Sequence, residues 1–234
     1  IKKMGAPEDL VIGIETPSLE TTNELMRQCD LVLATGGGAM VNAAYSSGTP
    51  ALGVGVGNAV ITVDETADLD AAAEKIRISK TLDLAASCSS DNSVVLLDGI
   101  YDTMLDKLRA EGGYVCNAEE KTALRNTLWD DELHINTAMV AQPPEKIAQM
   151  AGLTIPEGVQ FFIVLEDGYG PKHPFSGEKL SVIMALYRAR DIDHAIELTR
   201  HIQAYQGQGH SCGIYSNNDH NIMKVAENTY TSRV

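Results

Sequence analysis

The sequence predicts an α/β fold in which most strands run parallel. Short apolar segments alternate with longer segments whose apolar residues recur at helical spacing, and a run of three glycines joins one apolar segment to a helical one. The chain has 234 residues, of which 44% are hydrophobic, so it can bury one large core or two modest ones. We therefore expect a globular α/β protein.

The first part of the chain predicts strands and helices in turn. Ser18 stands directly before a helical pattern, where a serine caps the first turn. The predicted strands cover residues 10–14, 31–34, 51–54 and 60–63, and the predicted helices cover residues 18–28 and 39–47. A further helical face is marked by Leu69, Ala72, Ala73 and Ile76. Residues 1–78 are thus predicted to form part of a nucleotide-binding α/β layer.

The second part of the chain repeats the alternation in longer units. The predicted strands cover residues 93–97, 159–165, 181–187 and 210–215, and the predicted helices cover residues 100–110, 118–129, 144–150, 193–205 and 221–227. A loop rich in glycine and proline lies at residues 166–178. We predict a second domain over residues 79–234. It ends without a capping segment, so we expect truncation at the C-terminus.

The composition excludes several kinds of partner and site. The net charge is −14, with no block rich in lysine or arginine, so nucleic acid and anionic membranes are not expected partners. Cys29, Cys88, Cys116 and Cys212 lie far apart, which argues against a zinc site or a disulfide framework. No apolar run approaches 18 residues. A reducing cytoplasmic location and no bound metal are the expectations that follow.

Cys88 lies in a loop of small residues between a helical pattern and an apolar strand. Its neighbours Ser87, Ser89 and Ser90 leave space around the thiol, which a nucleophile needs. Free cysteines also serve as small core residues, and the loop alone does not decide between the two.

The glycine turn Gly36-Gly37-Gly38 follows a strand that ends near Thr35 and precedes a helix. Glycines allow a ligand to approach the backbone closely, and free amides at a helix start favour a phosphate group. The alternative is a tight strand-to-helix turn without a ligand. The run is not GxGxxG, so it lacks the usual dinucleotide fingerprint.

Several segments together resemble the CoA-acylating branch of the aldehyde dehydrogenase superfamily. They are LATGGGAMVNAAYSSGTPALGVGVGN at residues 33–58, DETAD at 64–68, SKT at 79–81, Cys88, and HPFSGEKLS at 173–181. The resemblance covers nearly the whole chain. It implies an aldehyde dehydrogenase-like fold, with residues 1–78 as the C-terminal part of a Rossmann-type cofactor domain and residues 79–234 as the catalytic domain. Within the branch it extends to bifunctional aldehyde-alcohol dehydrogenases, acetaldehyde dehydrogenases and acylating sulfoacetaldehyde dehydrogenases, the last being favoured.

The resemblance implies roles for individual residues. Cys88 matches the nucleophile, and its backbone amide would give half of the oxyanion hole. Thr35 and the Gly36–Gly38 turn would face the cofactor, and Glu178 would hold the nicotinamide ribose. His210 matches a histidine that assists CoA attack or shapes its channel, although a histidine satisfied by a backbone carbonyl is an equal alternative. Lys172 and His173 could bind an anionic group, but a solvated pair is favoured.

The implied reaction converts an aldehyde, CoA and NAD or NADP into acyl-CoA and the reduced cofactor. Sulfoacetaldehyde and acetaldehyde are the candidate substrates, and a homo-oligomer is expected for the full-length protein. Gly53 aligns with the glutamate that activates water in hydrolytic members, which favours acyl transfer to CoA. A hydrolytic enzyme that gives a free acid and an inert structural fragment remain the alternatives.

Overall fold

The computed structural model describes residues 2–234, which divide into two compact units. The first unit ends at Gly55 and the second begins at Val56. This boundary lies earlier in the sequence than the predicted one at residue 78. The reason is that the strand after Val56 is part of the sheet of the second unit, and the next helix belongs to the same unit. The assignment of residues 1–78 and 79–234 to two domains of the whole protein stays a prediction.

The described residues form helices and strands in alternation, which confirms the predicted α/β class. The helices are α1 (Leu19–Gln28), α2 (Gly38–Tyr45), α3 (Leu69–Thr81), α4 (Tyr101–Ala110), α5 (Ala118–Leu128), α6 (Pro144–Ala151), α7 (Ile192–Tyr205) and α8 (Asp219–Asn228). The strands are β1 (Val32–Thr35), β2 (Ala51–Val54), β3 (Ala59–Val63), β4 (Asp91–Leu97), β5 (Gly113–Val115), β6 (Phe161–Leu165), β7 (Ile183–Ala189), β8 (Gly209–Tyr215) and β9 (Thr231–Arg233).

The first unit is a small α/β layer. Strands β1 and β2 pair in parallel, and α1 and α2 pack with them around a core of Met26, Val32, Ala34 and Ala44. Ser18 caps α1 as predicted, because its side chain accepts a hydrogen bond from the backbone N–H of Thr21 at 3.0 Å. The predicted strand at residues 10–14 is wrong. Glu8–Leu10 is a 3₁₀ turn, and Val11 and Ile12 are exposed with no neighbouring strand to pair with.

The second unit contains a seven-stranded parallel sheet in the order β5-β6-β7-β4-β3-β8-β9. β3 is buried along its whole length between β4 and β8, so it does not extend the small layer of the first unit as the sequence predicted. Its position places Asp64 at the carboxyl edge of the sheet and Asn58 at the amino edge. Both residues are fully buried.

The core of the second unit lies on both faces of this sheet. The central strands β4 and β7 are almost entirely buried, as is usual for parallel strands that are covered by helices. The helices begin at side-chain caps: Asp68 caps α3, Asn117 forms a capping box on α5 and Asp191 caps α7. None of the helices in residues 2–234 is long and apolar enough to cross a bilayer.

Candidate active site

Four adjacent strands of the second unit bring three of the predicted site residues, Cys88, Glu178 and His210, to one edge of the sheet. Cys88 lies three residues before β4, and Glu178 lies in the segment that leads into β7. Gly57 and Asn58 immediately precede β3, and His210 is the second residue of β8. Because the strands are parallel, their amino ends meet at the same edge. The site therefore lies opposite the carboxyl edge, where open parallel sheets usually bind their ligands.

The Cys88 loop is held open by local backbone geometry. Asp83, Leu84 and Ala85, which precede the loop, have positive φ angles of 47°, 52° and 60°. Residues other than glycine rarely adopt such angles. The hydroxyl groups of Ser87 and Ser89 lie 3.0 Å apart and order the turn. The Cys88 side chain remains exposed, whereas Cys116 and Cys212 are buried and Cys29 is half-buried. Its position thus fits a reactive thiol better than a core residue.

His210 is the nearest titratable partner of Cys88. Its Nε2 lies 3.3 Å from Cys88 Sγ, and its Nδ1 lies 2.8 Å from Ser211 Oγ. If Nδ1–H donates to Ser211, Nε2 is free to accept the thiol proton. Burial and the charge of Arg233 hold the pKa of His210 below its ordinary value, which favours this neutral form near pH 7. The ring is not bonded to a backbone carbonyl, which was the alternative that the sequence left open.

Gly57 is the point where the nucleophile and Glu178 approach one another. A Cβ atom on Gly57 would lie 2.4 Å from the Cys88 carbonyl oxygen, 2.8 Å from Cys88 Cβ and 2.8 Å from Glu178 Oε1. Cys88 Cβ and Glu178 Oε1 both lie 2.8 Å from this one position, so the two residues are close neighbours. Any side chain at position 57 would displace one of them. Gly57 lies in the segment 33–58 that carries the family resemblance, but only the packing shows that it leaves room for Cys88 and Glu178.

Glu178 carries an acceptor that no protein group satisfies. Its Oε1 is buried and has no hydrogen-bond partner in the described chain. Burial raises the pKa of Glu178 to about 7, and the Gly57 backbone N–H and the charges of Lys179 and Lys80 oppose that rise. The unsatisfied oxygen fits a ligand hydroxyl group, as the ribose role requires.

Two buried amides fix the loops that carry these groups. Asn58 Nδ2 donates to the carbonyl oxygens of Ser176 and Gln206 at 2.8 and 3.0 Å. Asn92 Nδ2 donates to the Gly177 carbonyl at 2.7 Å and to Asn58 Oδ1. The amides thus connect the segments before β3, β7 and β8 with the start of β4. Sequence reasoning missed both, since an asparagine at a strand end predicts a turn as readily as a buried tie.

The glycine turn lies in the first unit, apart in sequence from the residues above. Thr35 ends β1, Gly37 is the N-cap of α2 and Gly38 is its first residue. No side chain caps α2, so its first amides keep their capacity to bind an acceptor. The predicted strand, glycine turn and helix are confirmed. Cofactor binding by Thr35, Gly36, Gly37 and Gly38 stays a prediction.

The sequence favoured a solvated pair for Lys172 and His173, but His173 is half-buried and contacts a carboxylate. Its Nδ1 lies 3.0 Å from Glu166 Oε2, and Glu166 Oε1 lies 2.7 Å from Lys121 Nζ. These contacts tie the loop before Glu178 to the carboxyl end of β6. Glu166, Asp167 and His173 could approach a cation together, but the lysine already neutralises the buried Glu166. Lys172 is exposed.

Comparisons with known proteins show what the chain is similar to. No protein-family model matches the chain. The chain is 43% identical over 235 residues to the acylating sulfoacetaldehyde dehydrogenase of Cupriavidus necator, an alignment that covers 99% of this chain and 48% of that protein. The chain is thus similar to CoA-acylating aldehyde dehydrogenases along nearly its whole length.

Solved relatives share the fold. The acetylating aldehyde dehydrogenase of Geobacillus thermoglucosidasius matches with a TM-score of 0.95 and 35% identity, over 99% of this chain and 52% of that one. The propionaldehyde dehydrogenase of Rhodopseudomonas palustris, solved with bound CoA and an acylated cysteine, matches with a TM-score of 0.86 and 26% identity, over 97% of this chain and 51% of that one. The chain thus spans about half the length of the relatives it matches.

Proposed function

We propose that the protein containing this chain is a CoA-acylating aldehyde dehydrogenase that acts through Cys88. The observation that carries the proposal is the contact of 3.3 Å between Cys88 Sγ and His210 Nε2, beside the unsatisfied Glu178 carboxylate. A thiol with a neutral histidine on one side and an acceptor for a ligand on the other fits covalent aldehyde oxidation. The acylated cysteine of the Rhodopseudomonas palustris enzyme supports the same chemistry here.

His210 activates the nucleophile in the proposed mechanism. Its Nε2 accepts the Cys88 proton, and the thiolate attacks the aldehyde carbon to form a thiohemiacetal. The backbone N–H of Cys88 is available to stabilise the resulting oxyanion. After loss of hydride, Cys88 carries the acyl group as a thioester. His210 releases its proton to solvent and then accepts the thiol proton of CoA. The CoA thiolate attacks the thioester, which releases acyl-CoA and returns the Cys88 thiolate.

Glu178 and the glycine turn are the residues that would hold the nicotinamide cofactor. The buried Glu178 Oε1 lacks a donor, which a ribose hydroxyl would supply. The uncapped start of α2, with Gly37 and Gly38, fits a phosphate group. When bound, the oxidised cofactor accepts the hydride that the thiohemiacetal loses. Both NAD and NADP remain candidates, and a glycolyl-CoA reductase of similar fold has been solved with NADP⁺.

CoA is the proposed acceptor because position 53 lacks the carboxylate that, by the resemblance, activates water in hydrolytic enzymes. Gly53, at the position aligned with the hydrolytic glutamate, has no side chain. Glu178 is the carboxylate beside Cys88, and as an acceptor of ribose hydroxyls it would not be free to activate water. A thiol can cleave the thioester without a strong base. We propose sulfoacetaldehyde as the first aldehyde to assay, after the Cupriavidus necator relative, with acetaldehyde second.

Product analysis tests this function. The purified full-length protein is incubated with sulfoacetaldehyde or acetaldehyde and NAD or NADP, with and without CoA. We expect acyl-CoA to form only with CoA, and no steady turnover without it. Rapid production of free acid in the absence of CoA would instead assign the hydrolytic branch. The native mass in the same preparation tests the proposed homo-oligomer, and cell fractionation tests the proposed cytoplasmic location.

Cys88 can be tested separately from the product. Cys88→Ala should abolish both dehydrogenation and acyl transfer while cofactor binding survives, and Cys29→Ala is the matched control. Iodoacetamide should label the exposed Cys88 before the half-buried Cys29 and the buried Cys116 and Cys212. Retention of most turnover by Cys88→Ala, or preferential labelling of another cysteine, would contradict the proposed nucleophile.

A further inference from the structure

Gln206 follows the last residue of α7, and its side chain contacts the main chain of Glu178. Its Oε1 accepts a hydrogen bond from the Glu178 backbone N–H at 2.8 Å. A backbone N–H can only donate, so the Gln206 amide must turn its oxygen, and not its nitrogen, toward Glu178. The two residues are 28 positions apart in the sequence. The mechanism above assigns no role to this contact.

Gly177 leaves the space that the Gln206 side chain occupies. A Cβ atom on Gly177 would lie 2.6 Å from Gln206 Oε1 and 3.0 Å from Tyr205 Cε1. The φ angle of Gly177 is −85°, which any residue can adopt, so its backbone conformation does not require a glycine. The packing of Gln206 and Tyr205 is what excludes a side chain at position 177. Gln206 therefore fits closely against the segment that carries Glu178.

The Glu178 carboxylate depends on the support of its main chain. Its buried Oε1 has no hydrogen-bond partner in the described chain, so no protein group there holds that oxygen in place. The Gly177 carbonyl, one residue earlier, accepts from Asn92 Nδ2 and Lys179 Nζ. Gln206 is the side chain that holds the backbone N–H of Glu178 itself. The position of the carboxylate thus follows from contacts to the main chain from which it extends.

The main chain of Gln206 is fixed independently of its side chain. Its carbonyl oxygen accepts from Asn58 Nδ2 at 3.0 Å, and its N–H donates to the Ile202 carbonyl at 3.3 Å. The next residue, Gly207, packs on Asn58, since an added Cβ atom would lie 2.5 Å from Asn58 Cβ. These contacts do not involve the Gln206 side chain. Variants that change only this side chain should therefore keep the fold of the segment.

We propose that Gln206 is a positioning residue that sets the Glu178 carboxylate where it meets the hydroxyl groups of the nicotinamide ribose. It acts through the hydrogen bond to the Glu178 N–H and not by contact with the cofactor. A displaced carboxylate would bind the ribose more weakly and would orient the nicotinamide ring less well for hydride transfer. This inference rests on the proposed function, because it assumes that Glu178 binds the cofactor.

Cofactor binding by variants of Gln206 tests this role. The Kd of the reduced cofactor is measured by its fluorescence in the full-length wild type, Gln206→Met and Gln206→Leu. Neither replacement offers an acceptor for the Glu178 N–H, and the second guards against an effect peculiar to the first. The matched control is Gln208→Met, at an exposed glutamine two residues away. Thermal unfolding and iodoacetamide alkylation of Cys88 are recorded for each protein.

A second background shows whether Gln206 acts through Glu178. Glu178→Ala removes the carboxylate but keeps the backbone N–H, so the hydrogen bond to Gln206 can still form. We therefore expect Gln206→Met to have no further effect on cofactor binding in the Glu178→Ala protein. A residue with a general structural role would weaken binding by the same factor in both backgrounds. The comparison is made on Kd and on kcat/KM for the cofactor.

We expect both Gln206 variants to bind the reduced cofactor about threefold to tenfold more weakly, which is the usual contribution of one hydrogen bond. The kcat of aldehyde oxidation should fall by about 10- to 10²-fold, because the orientation of the nicotinamide ring affects the rate of hydride transfer. Alkylation of Cys88 should stay close to the wild-type rate. Gln208→Met should match the wild type in every measurement.

Failure of this inference can be told apart from failure of the proposed function. If the wild type forms acyl-CoA and both Gln206 variants bind the cofactor as tightly as it does, the inference is overturned. Equal losses in the wild-type and Glu178→Ala backgrounds overturn it as well, because they indicate a structural role only. If the wild type forms no acyl-CoA, but Gln206→Met weakens cofactor binding only when Glu178 is present, the proposed function fails and the inference stands. A wild type that binds no reduced cofactor would overturn both.

Discussion

Cys88 Sγ and His210 Nε2 lie 3.3 Å apart although 122 residues separate them in the sequence. The parallel order of β4, β3 and β8 produces this contact, since the loop before β4 and the first residues of β8 reach the same edge of the sheet. Ser211 Oγ, 2.8 Å from the other ring nitrogen, orients the imidazole. The contact makes His210 the base on which thiolate formation depends in the proposed mechanism.

Replacing His210 tests that dependence. His210→Asn should lower the rate of iodoacetamide alkylation at pH 7 and lower kcat by about 10²- to 10⁴-fold, the usual contribution of a positioned general base. Cofactor affinity should change little. Because burial and the charge of Arg233 hold the pKa of His210 below its ordinary value, wild-type alkylation should keep the help of the neutral imidazole to a lower pH than an ordinary histidine would allow. The measurement is the second-order rate of alkylation against pH, together with steady-state kinetics.

His220→Asn is the matched control, because His220 is exposed on α8 and the active-site contacts do not include it. It should alkylate and turn over like the wild type. Equal alkylation rates in His210→Asn and the wild type would mean that the thiol is activated by another group. His210 would then serve only to shape the site.

Gly57→Ala tests the close approach of Cys88 and Glu178. The new Cβ atom would meet the Cys88 carbonyl oxygen at 2.4 Å, so the nucleophile loop or Glu178 must shift. A displacement of about 1 Å at a reacting group can cost about 10²-fold in rate, and we expect a loss of kcat of that order. Global stability should fall by about 1 to 3 kcal/mol, the usual cost of overpacking.

Gly55→Ala provides the control for this variant. Position 55 has open space around an added Cβ atom and is only two residues away. Its kcat should remain close to that of the wild type. If Gly57→Ala were as active as Gly55→Ala, the approach of Cys88 to Glu178 would be looser than the described geometry, and the constraint on position 57 would be absent.

The strained turn before Cys88 predicts a stabilising substitution. Asp83 has φ 47° and an exposed side chain, so glycine should relieve the left-handed strain without loss of packing. We expect Asp83→Gly to raise the free energy of unfolding by about 1 kcal/mol. Glu74→Gly, at an exposed position within α3, should lower it by about the same amount. Denaturant midpoints measure both, and destabilisation by Asp83→Gly would show that the turn is not strained.

Much of the fold could be predicted because local patterns and packing agree. The strand at 51–54 matches β2, and Ser18 caps α1 as its sequence context predicts. The short edge strands β5 and β9 were missed, since three residues carry too little periodicity to identify a strand. Residues 10–14 carried the apolar pattern of a strand without a partner, and pairing is a property of the fold rather than of the segment.

The site was only partly predictable for a similar reason. Cys88 and Glu178 stand in recognisable motifs, whereas the role of a buried amide such as Asn58 depends on carbonyl groups up to 148 residues away. The burial of Lys80 near the end of α3 could not be predicted, because a lysine near a helix end usually has a solvated side chain. Such residues become visible only when the loops that surround them are assembled. The sequence also left open which group His210 contacts, because Cys88 lies 122 residues away along the chain.

The final prediction concerns Gly53 and the choice between acyl transfer to CoA and hydrolysis to a free acid. The resemblance aligns this glycine with the glutamate of hydrolytic enzymes. The glycine could reflect a single reversible change or a local structure in which an added side chain must displace its neighbours. The structure favours the second explanation. A Cβ atom on Gly53 would lie 2.6 Å from Val41 Cγ1 and 2.9 Å from Tyr45 Cε2, within the first unit. The Gly53 backbone N–H also donates to the Tyr45 hydroxyl at 3.0 Å.

Gly53→Glu should therefore fail to create a hydrolytic enzyme. We expect no CoA-independent formation of free acid, and a loss of stability of about 1 to 3 kcal/mol from overpacking against α2. Gly55→Glu introduces the same carboxylate where an added Cβ atom has open space, and it should keep its stability. The two variants are compared by thermal unfolding and by acid production without CoA. Steady acid production by Gly53→Glu at wild-type stability would show that the missing carboxylate alone separates the two branches, because the packing around Gly53 would then have accommodated it.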